Sequence, residues 1–301
     1  MTNDNESRAG TRPGEQNPST GMRLASSRSA QIRATGQMRA WTCACALLLF
    51  VCSALTASAR IVLSHAQAMR IGRKVWQNEC DGTVAGLTSW NAGENFASLG
   101  IGHFIWYPAG QRGPFEESFP KFVNYAAGRG AKLPELLLGQ KSRACPWNSR
   151  AEFLAAKSTR RMQELRRFLA DTIDLQADFL LERLQEALPK MLAAAPVAER
   201  PRVRQQFERV ASTPEGVYAL VDYVNFKGEG VLPSERYRGR GWGLLQVLEG
   251  MPRESTGARA ADDFAASAAR VLRERVKNSP PQRNENRWLP GWLSRIATYR
   301  E

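Results

Sequence analysis

Residues 82–107 narrow the choice of fold more than any other stretch of this chain. Gly82, Gly86, Gly93, Gly100 and Gly102 lie among Ser, Thr and Asn there, with short β-prone pieces between them. That pattern predicts a two- or three-stranded hairpin. On its N-terminal side, residues 61–79 place Ile61, Leu63, Ala66, Ile71, Val75 and Trp76 at near-helical spacing. A helix is expected from about Ser64, its N-cap, to about Glu79, with Asp81-Gly82 as the stop. The order is therefore an acid at a helix end, then a turn-rich hairpin.

From Lys121 onward the spacing is helical. A loop with a one-turn helix near its end fills 108–120. Helical segments are expected at 119–128, 134–138, 150–157, 158–170, 174–193, 199–211, 214–226, 242–250 and 258–277. Pro189 should end or kink the 174–193 helix. Residues 214–226 look wholly buried, and the aromatic tail Trp288 to Tyr299 is expected to pack back on the body. There is no internal repeat. The expected class is α+β, mostly helical with one small N-terminal sheet.

The folded part is shorter than the 301 residues of the chain. Residues 1–37 are polar, with almost no bulky apolar side chains, and are expected to be a disordered extension. Met22 and Met38 are alternative starts. Residues 38–59 run from Met38-Arg39 through an apolar stretch to Ala57-Ser58-Ala59, the pattern of a cleavable export signal. Left uncut, the same run is an N-terminal anchor, because a span needs roughly 20 apolar residues. Residues 60–301 form one domain with 36 basic and 26 acidic residues. Such a surface favours polyanions. In an exported protein, periplasmic or secreted, these are wall polymers or lipid headgroups. No nucleic-acid motif is present, and contact with a membrane follows only if the signal segment is uncut. Cys80 and Cys145 are the cysteines of this domain; in an oxidising compartment they point to one disulfide, the alternative being two free thiols. No metal site and no cofactor are expected, since His65 and His103 are the only histidines and no ligand spacing occurs. There is no G-x-S-x-G elbow, and Gly239-Arg240-Gly241-Trp242-Gly243 lacks the Lys-Ser/Thr of a phosphate loop.

Glycoside cleavage needs a protonated carboxyl facing the leaving oxygen and a second group to hold water. Glu79 is the candidate acid. Trp76, Trp90, Phe96 and Phe104 are its expected apolar walls, which would raise its pKa toward neutrality. The Gly100-Ile101-Gly102 strand is expected to let sugar or backbone approach closely.

Glu79, the hairpin and Ser98-Leu99-Gly100-Ile101-Gly102-His103 resemble the active-site region of phage-type lysozymes, α+β muramidases of the lysozyme-like superfamily. In that family a Glu ends the first helix, an Asp lies on the hairpin, and a Thr opens a Thr-Ile-Gly-x-Gly-His strand. The resemblance covers about 25 residues closely. It implies a lysozyme-like fold and peptidoglycan, or a related amino-sugar polymer, as partner. Glu79 is then the proton donor, Ser98 stands in the threonine position to hold water, and His103 supports the acid region. The hairpin here is longer, and the family's Asp position falls on Ala92. Glu94 is the nearest carboxylate, either the second catalytic group or an exposed turn residue. Further on, Tyr218 to Gly230 resembles the helix-then-Gly stretch that lines the cleft in lysozyme-like folds. Tyr237 to Leu248 resembles a Gly-Leu-Met-Gln segment of lytic transglycosylases and chitosanase-like enzymes. Asn225, Tyr237 and Gln246 are the expected substrate contacts, with Lys227, Arg238 and Arg240 as possible partners for substrate carboxylates. The expected function is a monomeric, exported glycoside hydrolase cutting β-1,4 bonds of peptidoglycan. The alternatives are a lytic transglycosylase, a chitosanase-like enzyme and a non-catalytic wall-binding protein.

Overall fold

Ser64 opens the first helix, α1 (His65–Cys80), with a reciprocal cap. Its Oγ accepts the Gln67 N–H at 3.3 Å, and its own N–H donates to Gln67 Oε1 at 2.8 Å. Asp81, at φ 52°, turns left-handed and ends the helix, so Glu79 sits in the last turn as expected. In this computed structural model residues 61–113, 115–138, 144–252 and 258–300 are described. The expectations for 1–37 and 38–59 lie outside them. Among the described residues no helix is long and apolar enough to cross a membrane.

The turn-rich stretch forms a three-stranded antiparallel sheet in the order β1 (Thr88–Ser89), β2 (Ala97–Leu99), β3 (Phe104–Trp106). Its register pairs Ser98 with both Ser89 and Ile105. With a two-residue side-chain period, Ala97, Leu99, Phe104 and Trp106 enter the core, all essentially inaccessible. Ser89, Ser98 and Ile105 share the other face. Gly100 and Gly102 lie in the turn after β2 rather than in a strand. What approaches them is the protein itself. Gly100 has φ +70°, and a Cβ there would stand 2.2 Å from Gln176 Oε1. A Cβ on Gly102 would stand 2.6 Å from the Phe104 ring. The close approach expected at these glycines is made here by the protein's own side chains, and Gly102 also borders a cleft.

The helices follow in sequence order: α2 (Phe119–Gly128), α3 (Arg150–Ala155), α4 (Arg160–Asp171), α5 (Ile173–Ala194), α6 (Arg200–Val210) and α7 (Pro214–Lys227). A two-stranded ribbon, β4 (Arg236–Tyr237) with β5 (Arg240–Gly241), precedes α8 (Leu244–Gly250), α9 (Ala258–Asn278) and α10 (Leu289–Ala297). The α5 helix continues through Pro189 to Ala194, so the proline does not end it. The centre is α7, where every residue from Gly216 to Tyr223 is buried; it packs against α1, α5, α8 and α9. The same apolar core continues between the sheet, α2 and α5, with Phe104, Phe122 and Phe179 in mutual ring contact. The class is α+β, mostly helical with a small antiparallel sheet.

Cys80 and Cys145 are both free and buried, which corrects the expected disulfide. The Cys80 thiol points at the Gly100 carbonyl, 3.5 Å away. Cys145 is held elsewhere by its backbone, whose N–H donates to the Tyr107 carbonyl at 2.9 Å. Burial pushes both thiols up to about 12.

Candidate functional site

The helix α7 carries Asp222 in an otherwise apolar sequence, and Asp222 is fully buried. A carboxylate in that position must be paired. Its partners come from three elements. Arg295 of α10 donates to it from both Nε and Nη2 at 2.8 Å. Tyr299 donates its hydroxyl at 2.6 Å, and Asn78 of α1 donates Nδ2 at 3.2 Å. The same Arg295 Nη2 also reaches Glu79 Oε1 at 2.5 Å. One guanidinium therefore clamps two acids from two helices.

Glu79 has two further partners. Asn225 Nδ2 donates to Oε1 at 3.1 Å, and His103 Nδ1 lies 3.3 Å from Oε2. Burial by itself would raise the Glu79 pKa. The His103 hydrogen bond and the charge of Arg295 outweigh it and hold the carboxyl at about 2. This reverses the expectation of a raised pKa, because the expected apolar walls are not there. Trp90 packs on Phe153, Phe96 on Tyr107 and Phe115, and Phe104 on Phe122 and Phe179. The Trp76 indole donates to the Thr83 carbonyl at 3.1 Å. The surroundings of Glu79 are polar and cationic, and its side chain is 12% exposed.

A cleft of about 550 Å³ is lined in part by His103, Ile105, Asn225, Phe226, Tyr237 and Trp242; Glu79 itself is not among its lining residues. Its size suits a small ligand or a short stretch of polymer. His103 and Asn225 thus stand between the cleft and the carboxylate of Glu79. Tyr237 lies against the Trp242 ring at 4.4 Å and donates its hydroxyl to Glu285 Oε1 at 2.8 Å. Arg275 makes a two-toothed pair with the same Glu285 at 2.8 and 2.9 Å.

The remaining sequence candidates are placed differently. Ser98 is 4% exposed, on the sheet face it shares with Ile105. Glu94 does not line the cleft. It sits in the β1–β2 turn, where its carbonyl accepts the Trp90 indole N–H at 2.8 Å. Its Oε2 is buried without a hydrogen bond among the described residues. Gln246 is also outside the cleft, a correction to its expected substrate contact. Its Oε1 accepts the Gly243 N–H at 3.0 Å and its Nε2 donates to the Gly230 carbonyl at 3.1 Å. Both ends of the amide hold the loop before α8. Arg240 lines a separate depression with Gln246.

Asp222 and Arg295 were not among the sequence candidates. The signal for Asp222 was present: a lone acid inside an apolar helix has to find a cation. Arg295 carried no such signal, because its role arises only when α10 folds back over α7. Tyr218 is more than packing, since its hydroxyl accepts Asn78 Nδ2 at 2.7 Å and bonds Thr298 at 2.7 Å. Comparison with protein-family models, with curated proteins and with solved structures found no match.

Chemically, the site offers a buried carboxylate kept anionic by a guanidinium, an imidazole and an amide at its mouth, and an aromatic wall. Aromatic faces and amide groups suit the apolar faces and hydroxyls of sugars. The resting carboxylate is a hydrogen-bond acceptor, not a proton donor.

Proposed function

We propose that this chain is an exported, lysozyme-like glycoside hydrolase that cleaves β-1,4 bonds in peptidoglycan, with Glu79 as its reactive carboxylate. One observation carries the proposal. Asn225 and His103 both line one cleft and both contact the Glu79 carboxylate, at 3.1 and 3.3 Å. Ser98, which shares a sheet face with the cleft residue Ile105 but is itself buried and does not line the cleft, is the group assigned to water.

Proton donation by Glu79 requires a change at Arg295. With a pKa of about 2, protonating the carboxyl at pH 7 costs about 7 kcal/mol. Displacement of the guanidinium, with water excluded by the substrate, would lower that cost, since burial then raises the pKa. The ion-paired carboxylate also favours a second reading, a wall-binding protein that keeps the cleft without turnover.

Digestion of purified peptidoglycan, with mass spectrometry of the products, separates these. Reducing-end muropeptides that vanish with Glu79→Gln are the expected result. Anhydro-muropeptides would identify a lytic transglycosylase working with a single acid. Intact glycan together with wall binding would establish the non-catalytic reading, and full activity of Glu79→Gln would remove Glu79 from the mechanism.

A further inference from the structure

Lys227 ends α7 and lines the cleft. Its Nζ lies 3.7 Å from the centre of the Phe226 ring and 3.6 Å from that of Trp292. The same two rings carry the flanking guanidiniums. Arg295 stands 4.2 Å from Phe226, and Arg275 stands 5.0 Å from Trp292 and 4.1 Å from Trp242. Cations and rings thus alternate, and of them Phe226, Lys227, Trp242 and Arg275 line the cleft. The two arginines have carboxylate partners, Asp222 with Glu79 for one and Glu285 for the other. Lys227 is in no ion pair among the described residues. The aromatic faces stabilise its ammonium form in part, and among the described residues no carboxylate lies within ion-pair distance of this cleft-lining lysine.

We propose that Lys227 is the anchor of a carboxylate-binding subsite, and that the saccharide this cleft takes is an acidic one. The substrate class rests on the glycan-cleaving proposal above; the anion site itself rests on the geometry of the wall. A sugar carrying a carboxylate would lay an apolar face on the aromatic wall formed by Tyr237 and Trp242 and its acid on Nζ. Neutral oligomers of the same length lack that contact.

The ligand chemistry also sets a pH dependence. Burial, with Arg275 and Arg295 nearby, lowers the Lys227 pKa to about 6, while Glu285 and Glu79 act in the raising direction. A carboxylate binds the ammonium, not the amine. Below about pH 6 the ammonium is already formed; above it, binding must draw in a proton, and affinity falls by up to about tenfold per pH unit.

The test is calorimetric titration of the full chain with three probes: an N-acetylglucosamine oligomer, an oligomer of equal length containing N-acetylmuramic acid, and D-lactate. Wild type should prefer the acidic oligomer by at least about tenfold near pH 5.5, with the preference shrinking toward pH 7.5. Lys227→Met, whose flexible side chain fills the same gap between the rings, should bind both oligomers alike. Lys227→Arg, which cannot lose its proton, should keep the preference and lose its pH dependence. Equal binding of the two oligomers by wild type, or an undiminished preference in Lys227→Met, overturns the subsite and leaves the glycan proposal standing. If neither oligomer binds but lactate does, in a Lys227-dependent way, the anion site stands and the glycan proposal falls. If none of the three binds, both fall.

Discussion

Replacing Glu79 with Gln tests the charge state of the site through stability, without any substrate. The carboxyl moves from 4.5 in its ordinary state to about 2 in the fold. That difference corresponds to about 3 kcal/mol at pH 7. Solvent screening removes little of it, because the side chain is only 12% exposed. A depressed carboxyl contributes its stability above the unfolded pKa of 4.5 and loses it as the pH falls toward 2. Glutamine keeps a carbonyl for the Asn225 amide but has no charge for Arg295. Urea denaturation at pH 7 should therefore show Glu79→Gln less stable by about 3 kcal/mol, a fall in Tm of roughly 6–12 °C for a domain of this size. At pH 3 the difference should shrink to about 1–1.5 kcal/mol. A carboxyl held in apolar walls with a raised pKa gives the opposite sign, since glutamine then relieves a strained group. A variant as stable as wild type at pH 7, or more stable, would refute the clamp by Arg295.

Asp222→Asn removes one charge from the fully buried pair and leaves Arg295 with Glu79 alone, so thermal denaturation should show a loss of about 3–5 kcal/mol. Gly100→Ala forces a side chain into φ +70° and against Gln176; a loss of about 1–3 kcal/mol by chemical denaturation is expected. Both thiols of Cys80 and Cys145 should react with a thiol reagent in denaturant without prior reduction and stay unreactive in the native protein near neutral pH. A two-hydrogen mass deficit between them would show a bridge instead.

Local order in this chain was legible because it is set by short-range chemistry. The Ser64 cap, the Asp81 stop and the hairpin over 88–106 depend on side chains within a few residues of the backbone they shape. The helices after Lys121 show their apolar periods, so their positions were legible too. Of the two outcomes expected at Pro189, an end is not what the fold shows, since α5 runs on to Ala194. Glu94 and Gln246 looked like site residues because both are polar and flank the right segments. The turn and the loop before α8 positioned them away from the cleft.

The sequence by itself determined the α+β class and the position of Glu79 at a helix end. It did so because helical and two-residue periods, caps and turns are local properties. Only the tertiary structure decided what those residues mean chemically. The fold brings α10 over α7, places Arg295 between Asp222 and Glu79, and with His103 holds the Glu79 carboxyl low, where the sequence pointed to a raised value. It also sets Lys227 against Phe226 and Trp292, in no ion pair among the described residues. A pKa is fixed by the groups within a few ångströms, and at Glu79 these come both from His103 in the turn after β2 and from Arg295, 216 residues away.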